Sequence, residues 1–220
     1  MSNLIFPEGI TYKYDYFVGG DYIPTTTSPT TLGNLYKYAD SKIIYIPFDT
    51  SNITTLSSAF SSSKMIELNY FDTSNVTNMS SMFSSCSSLT TIPQLDTSKV
   101  TNMNSMFATC SKLTSIPQLD TSKVTDMSTF FGYSAINNLT YLGGFKDLGK
   151  QTSVSGLNTG YFLRATPNIT YESIMNVINN LYDRASAGMS TLTLYVHANT
   201  MGLLSDADKA IATNKGWILA

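Results

Sequence analysis

The stretch DTSKVTNMNSMFATCSKLTSIPQL, residues 96–119, repeats almost letter for letter the stretch DTSNVTNMSSMFSSCSSLTTIPQL, residues 72–95. The opening Asp-Thr-Ser also starts a unit on either side of these two, so that four units follow one another at spacings of 23, 24 and 24 residues. Their first residues are Asp49, Asp72, Asp96 and Asp120. A period of this length is typical of proteins in which each repeat buries its apolar face against its neighbours. The sequence therefore predicts stacked repeats.

The first half of each unit has the apolar spacing of a helix. Val76, Met79, Phe83 and Cys86 lie at i, i+3, i+7 and i+10, which places four side chains on one helical face. The preceding Asp72 offers side-chain oxygens to the free N–H groups of a helix start. We therefore predict a helix or helical turn here, with the repeated aspartates as its caps.

The second half of each unit, SLTTIPQL in residues 88–95, predicts a brief strand that ends at a proline. A helical turn, a strand and a tight corner in about 24 residues make one coil of a solenoid. We predict an α/β solenoid of about five leucine-rich-repeat-like coils with parallel strands over residues 39–150. Residues 1–38 are expected to form a β-rich N-terminal cap or attachment segment, and residues 151–220 an α/β C-terminal cap.

The N-terminal segment is rich in tyrosine, and ITYKYDYFV in residues 10–18 alternates as a strand does. We predict a β-hairpin or edge strand there, with Gly19-Gly20-Asp21 as a turn. Towards the C-terminus, residues 166–186 predict an amphipathic helix with Ile174, Val177, Ile178 and Leu181 on one face. Residues 191–199 predict a strand, followed by a second helix that Ser205 caps and Gly216 ends.

Composition and charge exclude several classes of function. Charged residues make up 13% of the chain and the net charge is −2, so no basic surface is expected for nucleic acid. No stretch approaches the ~20 apolar residues of a membrane span, and the first residues lack the charged and apolar regions of a secretory signal. We therefore expect neither a nucleic-acid partner nor membrane insertion.

The sequence also offers little for catalysis or metal binding. It contains no G-x-S-x-G or P-loop motif, and its single histidine, His197, is expected to be a loop-facing or capped imidazole. Cys86 and Cys110 hold equivalent positions in successive units, which favours buried free thiols over a disulfide or a metal pair. The repeated aspartates favour helix caps over a Ca²⁺ site. We predict that the protein is not an enzyme and has no cofactor and no metal.

The stretch FDTSNVTNMSSMFSSCSSLTTI, residues 71–92, resembles the short leucine-rich repeats of BspA-like bacterial surface proteins, and the resemblance covers about residues 40–145. The segment after the leucine is shorter here than in that family, which implies tighter coils and shorter strands. The C-terminal stretch LSDADKAIATNKGW resembles the closing segment of repeat proteins from gut bacteria and their phages. These resemblances imply a non-catalytic structural or binding protein.

In a leucine-rich coil, the residues beside the central strand position point outward from the concave sheet. In this sequence they are Tyr45, Glu67, Thr91, Ser115 and Tyr141. They form either a binding strip for a glycan or protein, or a polar strip whose neighbouring prolines simply end the strands. The sequence leaves both interpretations open.

The family context predicts two locations. The first is the surface of a phage particle, where the chain, made in the host cytoplasm, serves as a head or tail fibre or a decoration protein. Its partners would be other virion proteins, or further copies of itself bound through the N-terminal segment, and a host-surface glycan or protein. The alternative is a bacterial cell-surface adhesin fragment that binds a host protein or glycan.

Overall fold

The computed structural model describes residues 4–5, 11–12, 31–32, 37, 39, 42–44, 46, 49–132, 136–157 and 162–220. Near the N-terminus, strands β1 (Leu4–Ile5) and β2 (Thr11–Tyr12) pair antiparallel, with Leu4 opposite Tyr12. This pairing agrees with the predicted β character of the segment. The turn predicted at Gly19-Gly20-Asp21 lies outside the described residues.

Short parallel strand pairs recur through the repeats. Strand β3 (Ile43–Ile44) pairs with β4 (Glu67–Leu68), and β5 (Ser115–Ile116) pairs with β7 (Tyr141–Leu142). Strand β6 (Leu119–Asp120) pairs with β8 (Phe145–Lys146). Each pair joins one unit to the next along the chain, and each strand has only two residues. The predicted brief parallel strands are therefore present in these units.

A second line of parallel bridges joins successive units at one equivalent position. The bridges connect, in sequence order, Thr31, Thr55, Asn78, Asn102, Asp126 and Ser155. The units thus lie side by side with the register that the repeated Asp-Thr-Ser predicts. We propose that they form the predicted solenoid; its domain boundaries at residues 38 and 150 stay predictions.

A helix or helical turn is predicted in the first half of each unit, and the structure shows neither: residues 72–90 form successive tight turns in which Ser81 and Ser85 have a positive φ. The N–H groups of Met82 and Cys86 bond to the carbonyls of Met79 and Phe83, three residues back, rather than four as in an α-helix. The N–H groups of Phe83 and Ser85 bond instead to the next unit, to the carbonyls of Met106 at 3.0 Å and Ala108 at 2.7 Å. Serine competes with helical hydrogen bonds, so this serine-rich segment favours turns.

The apolar residues predicted to face inward are nevertheless buried. Val76, Met79, Phe83 and Cys86 are all 0% exposed. The rings of Phe60 and Phe83 stack with centroids 5.6 Å apart. A cluster of phenylalanines lies further along the same core, made of Phe130, Phe131, Phe145 and Phe162.

The C-terminal part contains helices α1 (Tyr171–Asn179), α2 (Ala198–Met201) and α3 (Asp206–Asn214) and the parallel strands β9 (Leu192–Leu194) and β10 (Trp217–Leu219). Ile174, Val177 and Ile178 of α1 are buried, and Leu181, just after it, is 3% exposed. Ser205 caps α3 through a reciprocal hydrogen-bond pair with Asp208, as predicted.

No helix in the described part of the chain has the length and apolar content needed to cross a membrane.

Helix α1 supplies side chains to the last repeat strand, β7. The Ser173 hydroxyl donates to the carbonyl of Thr140 and accepts the N–H of Leu142, both at 3.0 Å. Asn176 donates through its side-chain amide to the carbonyl of Leu142 at 3.0 Å. These bonds satisfy main-chain groups that another strand would otherwise pair, which is the requirement at a sheet edge.

Candidate functional site

The structure brings four of the five predicted strip residues together, and Tyr45 lies outside the described residues. Ser115 and Tyr141 are opposite each other in the β5–β7 pair. The hydroxyls of Thr91 and Ser115 share a hydrogen bond of 3.0 Å. Glu67 is exposed on β4, opposite Ile43 of β3. We call Glu67, Thr91, Ser115 and Tyr141 the polar strip.

The main chain beside the polar strip is held by a row of threonines. The N–H groups of Thr90, Thr114 and Thr140 each donate to a carbonyl of the preceding unit at 3.2, 2.9 and 3.0 Å. Their hydroxyls donate to the same carbonyls, those of Ile66, Thr90 and Thr114, at 3.3, 2.9 and 3.4 Å. The threonine row therefore joins each unit to the one before it, and the outward side chains of the polar strip lie next to it.

The polar strip has exposed aromatic side chains towards both ends. Tyr141 is 40% exposed, and Tyr70, which sequence reasoning missed, is 71% exposed. Tyr70 follows Glu67 by three residues and occupies the position that Gln94 and Gln118 hold in the next units. The signal was in the sequence, where LNYF at 68–71 replaces the IPQL of the later units.

Cys86 and Cys110 lie in the core, as predicted. Their thiols donate to the carbonyls of Phe60 and Phe83, each at 3.0 Å. Burial raises the pKa of Cys86 to about 11, so this thiol is protonated at neutral pH. Among the described residues, no group of three or more His, Cys, Asp or Glu side chains is placed to hold a metal ion. Both cysteines are therefore buried, free thiols that fill space in the core.

The repeated aspartates do not cap helices, so that prediction is wrong. Asp72 accepts the N–H of Ser74, two residues on, at 2.8 Å, and Asp96 accepts the N–H of Ser98 at 2.9 Å. This is an Asx turn, which mimics a backbone turn and needs no helix. The same bonds from Ser98 hold the pKa of Asp96 below its usual value. The row of aspartates therefore fixes one corner of each unit.

His197 caps the short helix α2, since its Nδ1 accepts the N–H of Asn199 at 3.1 Å. This agrees with the predicted capped imidazole. The neighbouring cleft has a volume of about 560 Å³, and the guanidinium of Arg164 lies 4.7 Å from the ring centre of Tyr195. The residues that line the cleft are Arg164, Val196, His197, Ala198, Met201 and Ala220. None of these side chains is a nucleophile or a carboxylate that could work with the imidazole.

Comparison with known proteins gives one relationship. Neither the curated proteins nor the solved structures contain a match to the chain. Residues 31–141, half of the sequence, match the family described as "Mycoplasma protein of unknown function, DUF285". The matched range contains the whole polar strip and agrees with the predicted resemblance to BspA-like repeats. The chain belongs to this DUF285 family.

Proposed function

We propose that the chain is a non-catalytic binding protein that presents the polar strip to a partner on another surface. The observation that carries the proposal is the exposure of strip side chains beside the row of main-chain bonds that joins the units. Glu67, Thr91 and Tyr141 are exposed, while the adjacent threonine row holds the units together. A stack of repeats commonly uses such an outward face for binding.

We further propose that this module acts on a phage particle, as a head or tail fibre or a decoration protein. The resemblance of the C-terminal stretch LSDADKAIATNKGW to repeat proteins of gut bacteria and their phages supports this location. The partners would be virion proteins or further copies of the chain, together with a host-surface molecule. The second candidate, a bacterial surface adhesin, is favoured by the family match, because that family is described as Mycoplasma proteins.

One experiment separates the two locations. Purified phage particles from a host that carries the gene are analysed by mass spectrometry, beside the cell-surface fraction of uninfected cells of the same strain. The virion proposal expects peptides of this chain in particles at a fixed ratio to the major capsid protein. Peptides in the surface fraction alone would overturn the virion proposal and support the adhesin.

The binding role is tested with the purified chain on intact bacterial cells. Tyr141→Ala and Glu67→Gln are expected to reduce cell binding at least tenfold, because both residues lie on the polar strip. Ile218→Ala is the matched control, since Ile218 is 52% exposed on β10 and lies outside the strip. Binding that is unchanged in both strip variants would overturn the proposed function.

A further inference from the structure

We propose that the ligand of the polar strip is a neutral glycan chain that lies across the repeats between Tyr70 and Tyr141. This inference rests on the proposed function, and it adds the chemical class of the ligand. Three features of the described residues support it: the length of the face, its hydrogen-bonding chemistry, and the exposed aromatic rings towards its two ends.

The first feature is length. Tyr70 and Tyr141 belong to units that are three steps apart along the stack, since Leu68, Ile92, Ile116 and Leu142 hold one equivalent position. Neighbouring strands lie ~4.8 Å apart, so three steps span about 14 Å. A face of this length accommodates an extended oligosaccharide of several rings rather than a single sugar.

The second feature is the chemistry between the two tyrosines. Thr91 and Ser115 present hydroxyls, and each hydroxyl can donate one hydrogen bond and accept two. The Thr91 hydroxyl donates to the carbonyl of Ile92 at 3.5 Å, and the mutual bond of 3.0 Å uses the proton of Ser115. The lone pairs that remain on the two oxygens can accept hydrogen bonds. Gln94 is exposed in the same unit as Thr91, and its amide donates to the carbonyls of Gln118 at 2.8 Å and Leu95 at 3.2 Å, which leaves its side-chain oxygen as an acceptor. These free acceptors match sugar hydroxyls, each of which has a proton to donate.

The third feature is the pair of exposed aromatic rings. Tyr70 is 71% and Tyr141 is 40% exposed, although a large aromatic side chain gains most by burial. A tyrosine ring offers an apolar face with a polar hydroxyl at its tip, and the C–H face of a sugar ring packs on such a surface. The two rings can therefore each hold one end of a glycan.

The same face is poorly suited to a protein partner. Protein interfaces depend on desolvated aromatic or arginine anchors near their centre, whereas the middle of this face carries Thr91, Pro93, Ser115 and Pro117. Addition of a partner strand needs free main-chain groups, and the units here already bond to each other through Thr90 and Thr114. Of the four strip residues only Glu67 is charged, which favours a neutral ligand over an anionic one.

The test uses an array of immobilised neutral oligosaccharides, two to six sugars long, and the purified chain. We expect at least one glycan series to bind, with affinity that rises with length until the oligosaccharide spans the face. Tyr70→Ala and Tyr141→Ala should each weaken binding tenfold or more. Tyr141→Phe, which keeps the ring, and Ile218→Ala, which lies on β10, should bind as the unchanged chain does.

A parallel measurement on cells separates failure of this inference from failure of the proposed function. Cells are treated with periodate, which oxidises sugar diols, or with protease, before the chain is added. Loss of binding after periodate, with protease having no effect, supports the glycan. Binding that depends on Tyr141 but is lost only after protease overturns the glycan and leaves the binding role intact. If no strip-dependent binding to cells or to the array occurs, both proposals fall.

Discussion

The ring of Phe83 lies almost parallel to the ring of Phe107 in the next unit, with centroids 5.4 Å apart and an interplanar angle of 12°. Phe60 stacks on the other side of Phe83 at 5.6 Å. All three rings are 0% exposed. Phe83 and Phe107 thus each contact a ring in both neighbouring units, so the core is continuous there although each unit is only about 24 residues long.

Because Phe83 packs between two rings, we expect Phe83→Ala to lower the free energy of unfolding by about 3–5 kcal/mol. The substitution removes buried apolar surface and leaves a cavity that the turns on either side cannot easily fill. Urea denaturation followed by circular dichroism measures the change. Tyr70→Ala, on the exposed surface, is the control and should change stability by less than ~0.5 kcal/mol. Equal effects of the two substitutions would contradict the role of the ring stack.

The position of the core could be read from the sequence, but the backbone that carries it could not. Residues at 76, 79, 83 and 86 are buried, and the same spacing suits both a helix and the observed turns. The choice between them depends on where the N–H groups bond, and half of those partners, such as Met106 for Phe83, lie in the next unit. Local propensity contains no information about such partners. In the candidate site, the repeat pattern does not predict Tyr70, because this residue stands where the next two units have Gln94 and Gln118.

The turns of the repeats in residues 49–132 contain seven non-glycine residues with a left-handed backbone. One of them is Ser81, whose φ is 54°. This conformation costs a residue with a Cβ roughly 1–2 kcal/mol, whereas glycine adopts it freely but loses about 0.5–1 kcal/mol of chain entropy. We therefore expect Ser81→Gly to raise the free energy of unfolding by about 0.5–1 kcal/mol. Ser84 is not among the residues with positive φ. Ser84→Gly should therefore lower stability by a similar amount. A stabilising effect of both substitutions in thermal denaturation would contradict this account.

The two thiols provide a test of the packed core without any substitution. Burial raises the pKa of Cys86 to about 11 and that of Cys110 well above its usual value. At pH 8 only about one thousandth of Cys86 is ionised, and the thiolate is the reactive form. We expect neither thiol to react with a disulfide reagent within minutes in the native chain, and both to react at once in denaturant. Fast labelling of either thiol in buffer would show that the stack opens there.

The aspartate turns predict a loss of stability in acid. Hydrogen bonds from Ser98 lower the pKa of Asp96. Burial pushes the pKa of Asp120 upward, but the bonds from Lys146, at 2.7 Å, and Ser122 outweigh this and hold it below its usual value. A lowered pKa in the folded state stabilises the fold above the unfolded-state pKa, near 3.8, and this stabilisation is lost as the pH falls through the folded-state value.

We therefore expect Asp120→Asn to reduce the dependence of stability on pH below 3.8, because an asparagine can keep the turn without titrating. The free energy of unfolding is measured by urea denaturation at several pH values between 2 and 6. Ile218→Ala, an exposed substitution on β10 that removes no carboxylate, is the control and should leave the shape of the pH profile unchanged. A profile that Asp120→Asn does not alter would show that the carboxylate contributes no stability.

Arg184 is the one charged residue buried among those the structure describes, and it joins two segments of the C-terminal part. Its guanidinium donates to the carbonyls of Gly149 at 2.5 Å and Gln151 at 3.0 Å, and its Nε donates to the carbonyl of Ser190 at 2.7 Å. A planar fork of donors can reach three carbonyls at once, which a lysine ammonium does less well. The side chain therefore holds the end of the repeats against the loop before β9.

We expect Arg184→Met to lower the free energy of unfolding by about 3 kcal/mol or more, because three carbonyls lose their donor. Arg184→Lys should recover only part of this loss, since one ammonium cannot occupy all three directions. Arg164→Met is the matched control: Arg164 is exposed and lies over Tyr195, a contact of at most ~1 kcal/mol at such a site. Urea denaturation compares the three variants. Equal stability of Arg184→Met and Arg164→Met would show that the hydrogen bonds of the Arg184 guanidinium do not stabilise the contact between the C-terminal part and the last repeat.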